Sequence, residues 1–288
     1  MKKSKLVFWG FQTPCLLAFS LAILLPMAMG IYYSFTEWNG IGSNAVPNGL
    51  TNYVTIFTDD SQFLYSFRYT LVFSVAAVVL VNLLALGLAL LVTQKFRGSN
   101  LFRSIFFLPN LIGGILVGFI WQFIFTDVFD GLGTLLSIPW LCNWLSTPQT
   151  ATAGLLIVVV WQMSGYMMLI YIAQIQNIPD SLLEAASIDG ATRFQRFWHV
   201  KLPMLTPAFT VGIFLTLANC FKLYDQNLTL TQGGPYNSSE MLTMNIYNTA
   251  FSMNKFGQAQ AKGVVYLIVV AVITLTQLFF FKRREVEL

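Results

Sequence analysis

Six stretches of this sequence contain no Asp, Glu, Lys or Arg and consist mainly of apolar residues. An α-helix needs roughly 20 apolar residues to cross the hydrocarbon core of a bilayer, and each stretch is about that long. Backbone groups in lipid must be paired within their own segment, so we expect helices. Strands of a membrane barrel would alternate in polarity, and these stretches do not. The six predicted spans are Thr13–Ser34, Tyr69–Thr93, Ser104–Thr126, Thr150–Ala173, Leu202–Phe221 and Gly263–Phe281.

The distribution of basic residues predicts how these spans are oriented. Cytoplasmic segments carry an excess of Lys and Arg, and with both termini in the cytoplasm twelve of the 16 basic residues lie on that side. The twelve are Lys2, Lys3, Lys5, Lys95, Arg97, Arg103, Arg193, Arg196, Lys201, Lys282, Arg283 and Arg284. The other four are Arg68, Lys222, Lys255 and Lys262. We therefore predict an all-α, multi-pass membrane protein with both termini cytoplasmic, and we attribute the net charge of +4 to topology and not to a nucleic-acid partner.

The N-terminal stretch has two interpretations. The apolar region of a cleaved signal peptide is about 7–15 residues long, whereas this one continues without a charge to Ser34. We predict that it is retained as the first span.

The cysteines and the single histidine do not suggest a metal site or a cofactor. Cys15, Cys142 and Cys220 are odd in number and lie in distant segments, so neither a disulfide framework nor metal-ligand spacing is expected. His199 has no second histidine near it, and we predict a surface or interface residue.

The segment Asp127–Gln149 carries no charge after Asp130. It contains Trp140 and Trp144, and Trp prefers the headgroup level of a bilayer. We predict a short interfacial helix on the outer face. A seventh span is the alternative, although Pro139 interrupts it.

A polar segment between the fourth and fifth stretches predicts two short helices. Ser181 and Glu184 have the spacing of a capping box, in which each side chain accepts a hydrogen bond from the other residue's backbone N–H. Thr192 and Gln195 repeat that spacing. Gly190, between the pairs, suits the left-handed position that ends a helix.

The same segment carries a pattern at fixed spacing: Glu184-Ala185-Ala186, three residues, Gly190, nine residues, then Val200-Lys201-Leu202-Pro203. It resembles the EAA signature of the membrane subunits of bacterial ABC importers, with Val200 where Ile is usual. The resemblance implies a type I ABC importer permease fold with six transmembrane helices, one permease domain over residues 1–288 and a cytoplasmic coupling loop at about 175–203. The residues that it implies for coupling to the ATPase are Glu184, Ala185, Ala186, Asp189 and Gly190. Taken alone, the capping spacing also fits an ordinary amphipathic inner loop.

Further motifs resemble the carbohydrate-uptake branch of these permeases. They are Asn52-Tyr53, Phe102-Arg103, Phe106-Phe107-Leu108-Pro109, Ile178-Pro179-Asp180, Asp189-Gly190-Ala191, Tyr224-Asp225 and Leu230-Thr231-Gln232-Gly233-Gly234-Pro235. The resemblance implies a bacterial cell-membrane subunit that imports a sugar, with an oligosaccharide expected. Glycerol phosphate esters or another small polar solute are the alternative.

Two sets of residues share a helical face in the fourth and fifth spans. Gln162, Met163 and Tyr166 form one set, and Thr216, Asn219, Cys220 and Leu223 form the other. By resemblance, these positions are similar to those lining the sugar cavity of the maltose-type permease. The alternative is that the polar members only join helices, for about 1–2 kcal/mol each. Lys222 and Asp225 near the outer end fit an anionic ligand or a pair across one helix turn.

The chain contains no G-x-x-x-x-G-K-[ST] phosphate loop, so we expect it not to be an enzyme and its energy to come from a partner. We predict a heterodimer with a second, similar permease subunit, two ATPase subunits and an extracytoplasmic solute-binding protein. A secondary transporter would show carboxylates inside its spans, and an intramembrane enzyme would show a catalytic cluster. The six stretches have neither.

Overall fold

The computed structural model describes residues 2–42, 44–94 and 98–282. Of the basic residues used to predict orientation, Lys95, Arg97, Arg283 and Arg284 lie outside the described residues. The contacts divide the chain into two compact units, Met1–Leu64 with Asn245–Val269, and Tyr65–Met244 with Val270–Leu288.

The first unit begins with a long apolar helix. None of its 18 most apolar residues is fully buried within the chain, as expected for a helix whose neighbours are lipid or another subunit. A short antiparallel ladder follows, in which Thr36 faces Pro47 and Glu37 faces Val46. The elements are α1 (Lys2–Phe19), a π-helical turn (Ser20–Leu24), α2 (Leu25–Ser34), β1 (Thr36–Glu37), β2 (Val46–Pro47) and α3 (Thr51–Thr58).

The second unit is a helical bundle whose core surrounds the fourth span. The early helices are α4 (Ser61–Val92, which starts in the first unit), α5 (Ser99–Phe107), a 3₁₀ turn (Leu108–Leu111), α6 (Gly114–Phe123), a π turn (Ile124–Val128), α7 (Phe129–Leu136), a 3₁₀ turn (Pro139–Leu141) and α8 (Pro148–Gln176). The later elements are α9 (Asp180–Ile188), α10 (Arg193–Arg196), a π turn (Phe197–Lys201), α11 (Leu202–Met204), α12 (Thr206–Phe221) and a π turn (Asn227–Thr231). The remaining elements are α13 (Leu242–Tyr247), which ends in the first unit, a π turn of the first unit (Asn248–Ser252), and α14 (Phe256–Lys282), which starts in the first unit and ends in the second.

The prediction of an all-α membrane protein is confirmed. Five helices in the described residues are long and apolar enough to cross a membrane: Phe8–Ser34, Ser61–Val92, Gly114–Leu136, Pro148–Gln176 and Phe256–Gln277. A sixth span is formed if Arg193–Met204 and Thr206–Phe221, which meet at a bend of 62°, are taken together. The fifth predicted stretch is therefore a broken span.

The third predicted stretch is not one continuous helix. Ile112 and Gly113 are extended, with ψ of 131° and 143°, and they separate the 3₁₀ turn from α6. Pro109 lacks a backbone N–H and so favours the end of α5. The spanning helix runs instead over Gly114–Leu136, further along the chain than predicted.

The prediction of a separate interfacial helix within Asp127–Gln149 is wrong, and so is the seventh span. The first ten residues continue the third span through α7, which ends at Ser137 with a left-handed φ of 55°. Between α7 and α8, where every residue is described, the one further helical element is the 3₁₀ turn at Trp140. Pro148 opens α8 behind a capping box of Thr147 and Thr150, since Pro is well suited to the first helical position.

The polar segment forms two short helices, as predicted, but the first begins earlier. Pro179 is the N-cap residue of α9 and has no side-chain cap, so the predicted box of Ser181 and Glu184 is wrong. Ser181 lies inside the first turn, where the backbone is already helical and an N-cap is not formed. The predicted box of Thr192 and Gln195 is confirmed, with Thr192 N–H donating to Gln195 Oε1 at 2.8 Å.

Gly190 has φ of +79°, which confirms the predicted left-handed position. The N–H of Ala191 donates to the carbonyl of Ala186 at 3.0 Å, and the N–H of Gly190 donates to the carbonyl of Ser187 at 3.1 Å. These two hydrogen bonds are those of a Schellman motif. They end α9 sharply and turn the chain towards α10.

Candidate functional site

A cavity of about 350 Å³ lies in the second unit, beside α8. Its walls come from the break in the third span, from the middle of α8, and from the end of α12 with the segment after it. We call it the central cavity. Its lining residues from the predicted pathway are Gln162, Met163, Tyr166, Asn219 and Leu223.

The α8 members lie on one face of that helix, at the predicted spacing. Gln162 and Met163 are almost fully buried, each with 8 % exposure, and Tyr166 is 37 % exposed. A phenol ring, an amide and a thioether thus share one wall of the cavity.

Thr216 and Cys220 from the predicted pathway do not line the cavity, and both have no exposed surface. Thr216 accepts a hydrogen bond from Asn82 Nδ2 of α4 at 3.4 Å and donates to the carbonyl of Gly212 at 2.7 Å. Around α12, Asn219 is offset from Thr216 by about 60° and from Cys220 by about 100°, given 3.6 residues per turn, and Leu223 follows the end of the helix at Phe221. Asn219 and Leu223 therefore line the cavity, whereas Thr216 and Cys220 pack in the core.

Gln162 is held at both ends of its side-chain amide. Its Nε2 donates to the carbonyl of Ile112 at 2.9 Å, and its Oε1 accepts from Gln226 Nε2 at 2.8 Å. The Ile112 carbonyl lies at the break in the third span, where the helical hydrogen-bond pattern is interrupted. Gln162 therefore joins three chain segments and fixes the wall of the cavity.

The cavity has further lining residues that the predicted pathway did not include. They are Asn110, Gly114, Val159, Lys222, Tyr224, Asp225 and Gln226. A Cβ atom on Gly114 would lie 2.9 Å from Cβ of Asp225, so this close approach requires glycine. The sequence signal for it was the pair Gly113-Gly114 inside an apolar stretch, because such glycines mark places where backbone comes close to another segment.

The charges in the cavity wall balance. Lys222 and Asp225 are exposed, and among the described residues no ion pair within 4.0 Å joins them. The pair across one turn, one of the two sequence-based alternatives, is therefore not formed. The other polar lining groups are neutral amides and phenols, which donate and accept hydrogen bonds without carrying charge. Such a wall suits a neutral ligand rich in hydroxyl groups.

The predicted coupling residues lie on and just after α9. Glu184, Ala185, Asp189 and Gly190 are exposed, and Ala186 is half-buried. Apolar side chains beside them face outwards: Ile188 is 86 % exposed and Phe194 is 71 % exposed. Large apolar groups exposed together on a polar loop indicate a contact surface for another protein.

One hydrogen bond sets the angle between the two short helices of this loop. Arg196 Nη1 donates to Ser187 Oγ at 2.6 Å, which links α10 to α9. The ring Nδ1 of His199 is hydrogen-bonded with the carbonyl of Gln195 at 3.1 Å, and His199 is exposed, in agreement with the predicted surface histidine.

A family model described as "Binding-protein-dependent transport system inner membrane component" matches residues 82–285. The match runs from the last part of the second span through the sixth span, and it includes the central cavity and the loop of α9 and α10.

Curated relatives match the chain over almost its full length. The probable starch degradation products transport system permease protein AmyD of Thermoanaerobacterium thermosulfurigenes is 49 % identical, over 99 % of this chain and 97 % of the relative. The multiple sugar-binding transport system permease protein MsmF of Streptococcus mutans is 32 % identical, over 96 % of each chain. The sn-glycerol-3-phosphate transport system permease protein UgpA of Brucella abortus is 30 % identical, over 90 % of this chain and 89 % of the relative.

Solved structures share the fold. A chain of a bacterial ABC transporter involved in the import of the acidic polysaccharide alginate has a TM-score of 0.83 at 21 % identity, over 98 % of this chain and 96 % of the other. A chain of a bacterial alginate ABC transporter in complex with alginate pentasaccharide-bound periplasmic protein has a TM-score of 0.82, also at 21 % identity. These likenesses support the type I permease fold predicted from the EAA pattern.

Proposed function

Because this chain belongs to the family of binding-protein-dependent transport system inner membrane components, we propose that it is the transmembrane subunit of an ATP-driven sugar importer. The observation that carries the proposal is the central cavity, whose wall combines Tyr166 and Tyr224 with the amides of Asn110, Asn219 and Gln226. Aromatic rings stack on the C–H faces of a sugar ring, and amides bind its hydroxyl groups. The substrate pathway then runs along Gln162, Met163, Tyr166, Asn219 and Leu223, with Thr216 and Cys220 supporting α12 from behind.

The proposed substrate is a neutral oligosaccharide. The relative named for starch degradation products is the more similar of the sugar permeases given above, and starch fragments are uncharged. Import of a glycerol phosphate ester is the second candidate, favoured by Lys222 in the wall and by the glycerol-3-phosphate permease among the relatives. Asp225 in the same wall offsets that lysine, so a phosphate dianion would meet a site with no net positive charge.

The proposed partners are two ATPase subunits, a second and similar permease, and an extracytoplasmic binding protein. The exposed Ile188 and Phe194 support a docking role for the loop at about 175–203, with Glu184, Ala185, Ala186, Asp189 and Gly190 at its centre. ATP hydrolysis belongs to the partner subunits, so this chain is not the enzyme. One such loop per chain suits one ATPase subunit, so two ATPases call for two permeases.

The proposed location is the bacterial cell membrane, with residues 1–288 as one permease domain and both termini in the cytoplasm. The basic residues of the described inner loops, Arg103, Arg193, Arg196 and Lys201, support this orientation.

The proposed mechanism uses the bend between α11 and α12. Closure of the ATPases moves α9 and α10 together, because Arg196 holds Ser187. The movement passes through the 62° bend into α12, which carries Asn219 near its far end and is followed directly by Leu223. A rigid-body shift of this kind switches packed helices between two arrangements and turns the cavity from one side of the membrane to the other.

Transport by the reconstituted complex tests the proposal. Vesicles containing this chain, its partner subunits and the binding protein should accumulate labelled maltotriose only when ATP is supplied. Faster uptake of glycerol 3-phosphate than of maltotriose would favour the second candidate. Uptake driven by a proton gradient without ATP would contradict both candidates.

A further inference from the structure

A second and larger cavity lies at the end of the bundle that carries the basic inner loops. Its volume is about 700 Å³, and its walls come from the end of α4, the start of α5, the end of α8 and the start of α9. We call it the inner polar cavity. Its polar lining includes Thr93, Ser99, Arg103, Gln176, Asp180 and Lys201. The proposed transport of sugar assigns it no role.

The charged groups in this cavity are not paired with one another. No ion pair within 4.0 Å joins Arg103, Lys201 or Asp180 to another described residue. The Nε atom of Arg103 is buried and has no hydrogen-bond partner in the described part of the chain. A buried donor on a charged group that is left unsatisfied is costly. A bound anion that accepts from Arg103 would remove this cost.

An apolar cavity of about 350 Å³ lies between α4, α5 and α8, which also line the inner polar cavity, and it is deeper in the span region. Its walls include Leu84 and Leu88 of α4, Ile105 and Phe106 of α5, and Trp161 of α8. Along α4, Leu88 precedes Val92 of the inner polar cavity by four residues, or about 6 Å at 1.5 Å per residue. The two cavities are thus adjacent and ordered along the helix axes, with the polar one nearer the basic end.

We propose that these two cavities together hold one glycerophospholipid molecule. Its phosphodiester occupies the inner polar cavity and accepts hydrogen bonds from Arg103 and Lys201, while one acyl chain occupies the apolar cavity. Basic pockets between transmembrane helices at the cytoplasmic side are suited to lipid headgroups. Charged groups lie nearer the cytoplasmic end, and an apolar surface follows deeper in the span region. This arrangement matches a lipid, with its headgroup and acyl chain, and not a free ion.

Asp180 narrows the choice of headgroup. Among the described lining residues, two cations and one carboxylate leave one net positive charge, which matches the single negative charge of a phosphodiester. A phosphate monoester with nearly two negative charges would be opposed by Asp180. The ammonium group of phosphatidylethanolamine can pair with this carboxylate, so we expect that lipid to be retained in preference to phosphatidylglycerol.

The site joins the coupling loop to the bundle. Asp180 is the first residue of α9, and Lys201 is the last residue of the π turn before α11. A lipid whose phosphate binds Lys201 and Arg103 of α5 and whose ammonium pairs with Asp180 would therefore tie both ends of the loop to the span region.

Lipid analysis of the purified complex tests the proposal. The complex is extracted from membranes containing both phosphatidylethanolamine and phosphatidylglycerol, delipidated stepwise, and examined by native mass spectrometry. We expect one phospholipid per copy of this chain to survive in the wild type. Retention should fall at least about tenfold in Arg103→Gln and Lys201→Gln, which is the loss implied by removing a hydrogen bond to a charged group. Arg193→Gln is the matched control, because Arg193 is exposed on α10 and does not line this cavity.

Further variants and a competition experiment distinguish a bound lipid from other occupants of the cavity. Leu84→Trp fills the apolar cavity and should also lower retention, and Arg103→Lys should restore part of it if Arg103→Gln assembles poorly. Added inorganic phosphate at millimolar concentration should not displace the lipid. Equal retention in all variants, or equal loss in Arg193→Gln, would overturn the proposal. So would displacement by inorganic phosphate, which would indicate a free-anion site. Unchanged lipid with weakened ATPase binding in Arg103→Gln would show instead that an acidic group of the ATPase fills the cavity.

Discussion

The side-chain amide of Gln174 in α8 donates a hydrogen bond to the main-chain carbonyl of Met204, at 3.0 Å. Met204 is the last residue of α11, where the carbonyls of a helix end lack intrahelical partners. A second glutamine, Gln277 of α14, donates to the carbonyl of Thr210 in α12 at 3.1 Å. The two glutamines brace the broken span on both sides of its 62° bend.

We predict that Gln174→Leu lowers the amount of sugar transported per ATP hydrolysed. A neutral hydrogen bond is worth about 0.5–1.5 kcal/mol, which corresponds to a roughly twofold to tenfold effect. The measurement is the ratio of sugar uptake to phosphate release in reconstituted vesicles. Gln149→Leu, an exposed position at the start of the same helix, is the control. An unchanged ratio in Gln174→Leu would show that the bend does not transmit the movement.

Replacement of Gly190 should uncouple transport through the backbone alone. No atom lies within 4 Å of a Cβ placed there, so there is space for a side chain, but φ of +79° disfavours most residues. Gly190→Leu should cost about 1 kcal/mol or more and abolish uptake while the complex still assembles. Gly190→Asn is the matched control, because Asn tolerates the left-handed region. Normal uptake and normal ATPase stimulation in Gly190→Leu would exclude α9 as the coupling element.

Variants of the central cavity should reduce uptake without affecting the binding protein. Tyr166→Ala and Asn219→Ala each remove one group from the wall, and each lost hydrogen bond is worth about 0.5–1.5 kcal/mol. We expect partial defects in the single variants and a severe defect in the double variant. Thr216→Val removes a buried hydroxyl outside the cavity and should lower thermal stability with equal effect on every sugar. Uptake of two sugars, corrected for the amount of complex, separates these cases, and equal loss of both sugars in Tyr166→Ala would count against the cavity.

The buried Lys262 should stabilise the first unit. Its side chain is 1 % exposed, and its ammonium lies 2.7 Å from Asp60 Oδ2 and donates to Asn245 Oδ1 and Thr249 Oγ1, each at 2.7 Å. Lys262→Met leaves Asp60 without this partner and should destabilise by about 3 kcal/mol, the low end for a broken buried pair, because Asp60 keeps 19 % exposure. The double change with Asp60→Asn should recover part of that loss in a thermal unfolding assay. Lys255→Met, at an exposed lysine, should have almost no effect.

Labelling of single cysteines tests the orientation. Asp59 and Arg193 are both exposed, and the basic-residue asymmetry predicts that they lie on opposite sides of the membrane. In a background without Cys15, Cys142 and Cys220, Asp59→Cys should react with an impermeant maleimide in intact cells. Arg193→Cys should react only after permeabilisation. External labelling of both positions to the same extent would refute the predicted topology.

The α9–α10 loop was predictable because its signals are local. The left-handed Gly190 and the capping box of Thr192 and Gln195 each involve residues within a few positions of one another. The prediction of a capping box at Ser181 was wrong for a reason that is also local, since helix α9 starts at Asp180, directly after Pro179. Local spacing identifies a helix end but does not choose between two candidate N-cap residues, Pro179 and Ser181, that are two positions apart.

The central cavity was only half predictable. Helical periodicity placed Asn219 and Thr216 on one broad face of α12, yet a difference of about 60° around the helix sends one to the cavity and the other to Asn82 in the core. The position of neighbouring helices decides which edge of such a face is open. Asn110 reaches the cavity from the break in the third span, and Gln226 reaches it from the segment after α12. Neither residue belongs to a periodic pattern in the sequence.

The sequence by itself determined that the chain crosses the membrane as helices, because long uncharged apolar stretches have no other way to pair their backbone groups in lipid. It also determined the position of the loop that carries α9 and α10, whose polar residues cannot enter the bilayer. Only the tertiary structure decided where the third and fifth spans break, and that Gln162 and Gln174 supply hydrogen bonds at the broken ends. A carbonyl freed by a bend needs a donor from another helix, and which helix provides it depends on packing between distant segments.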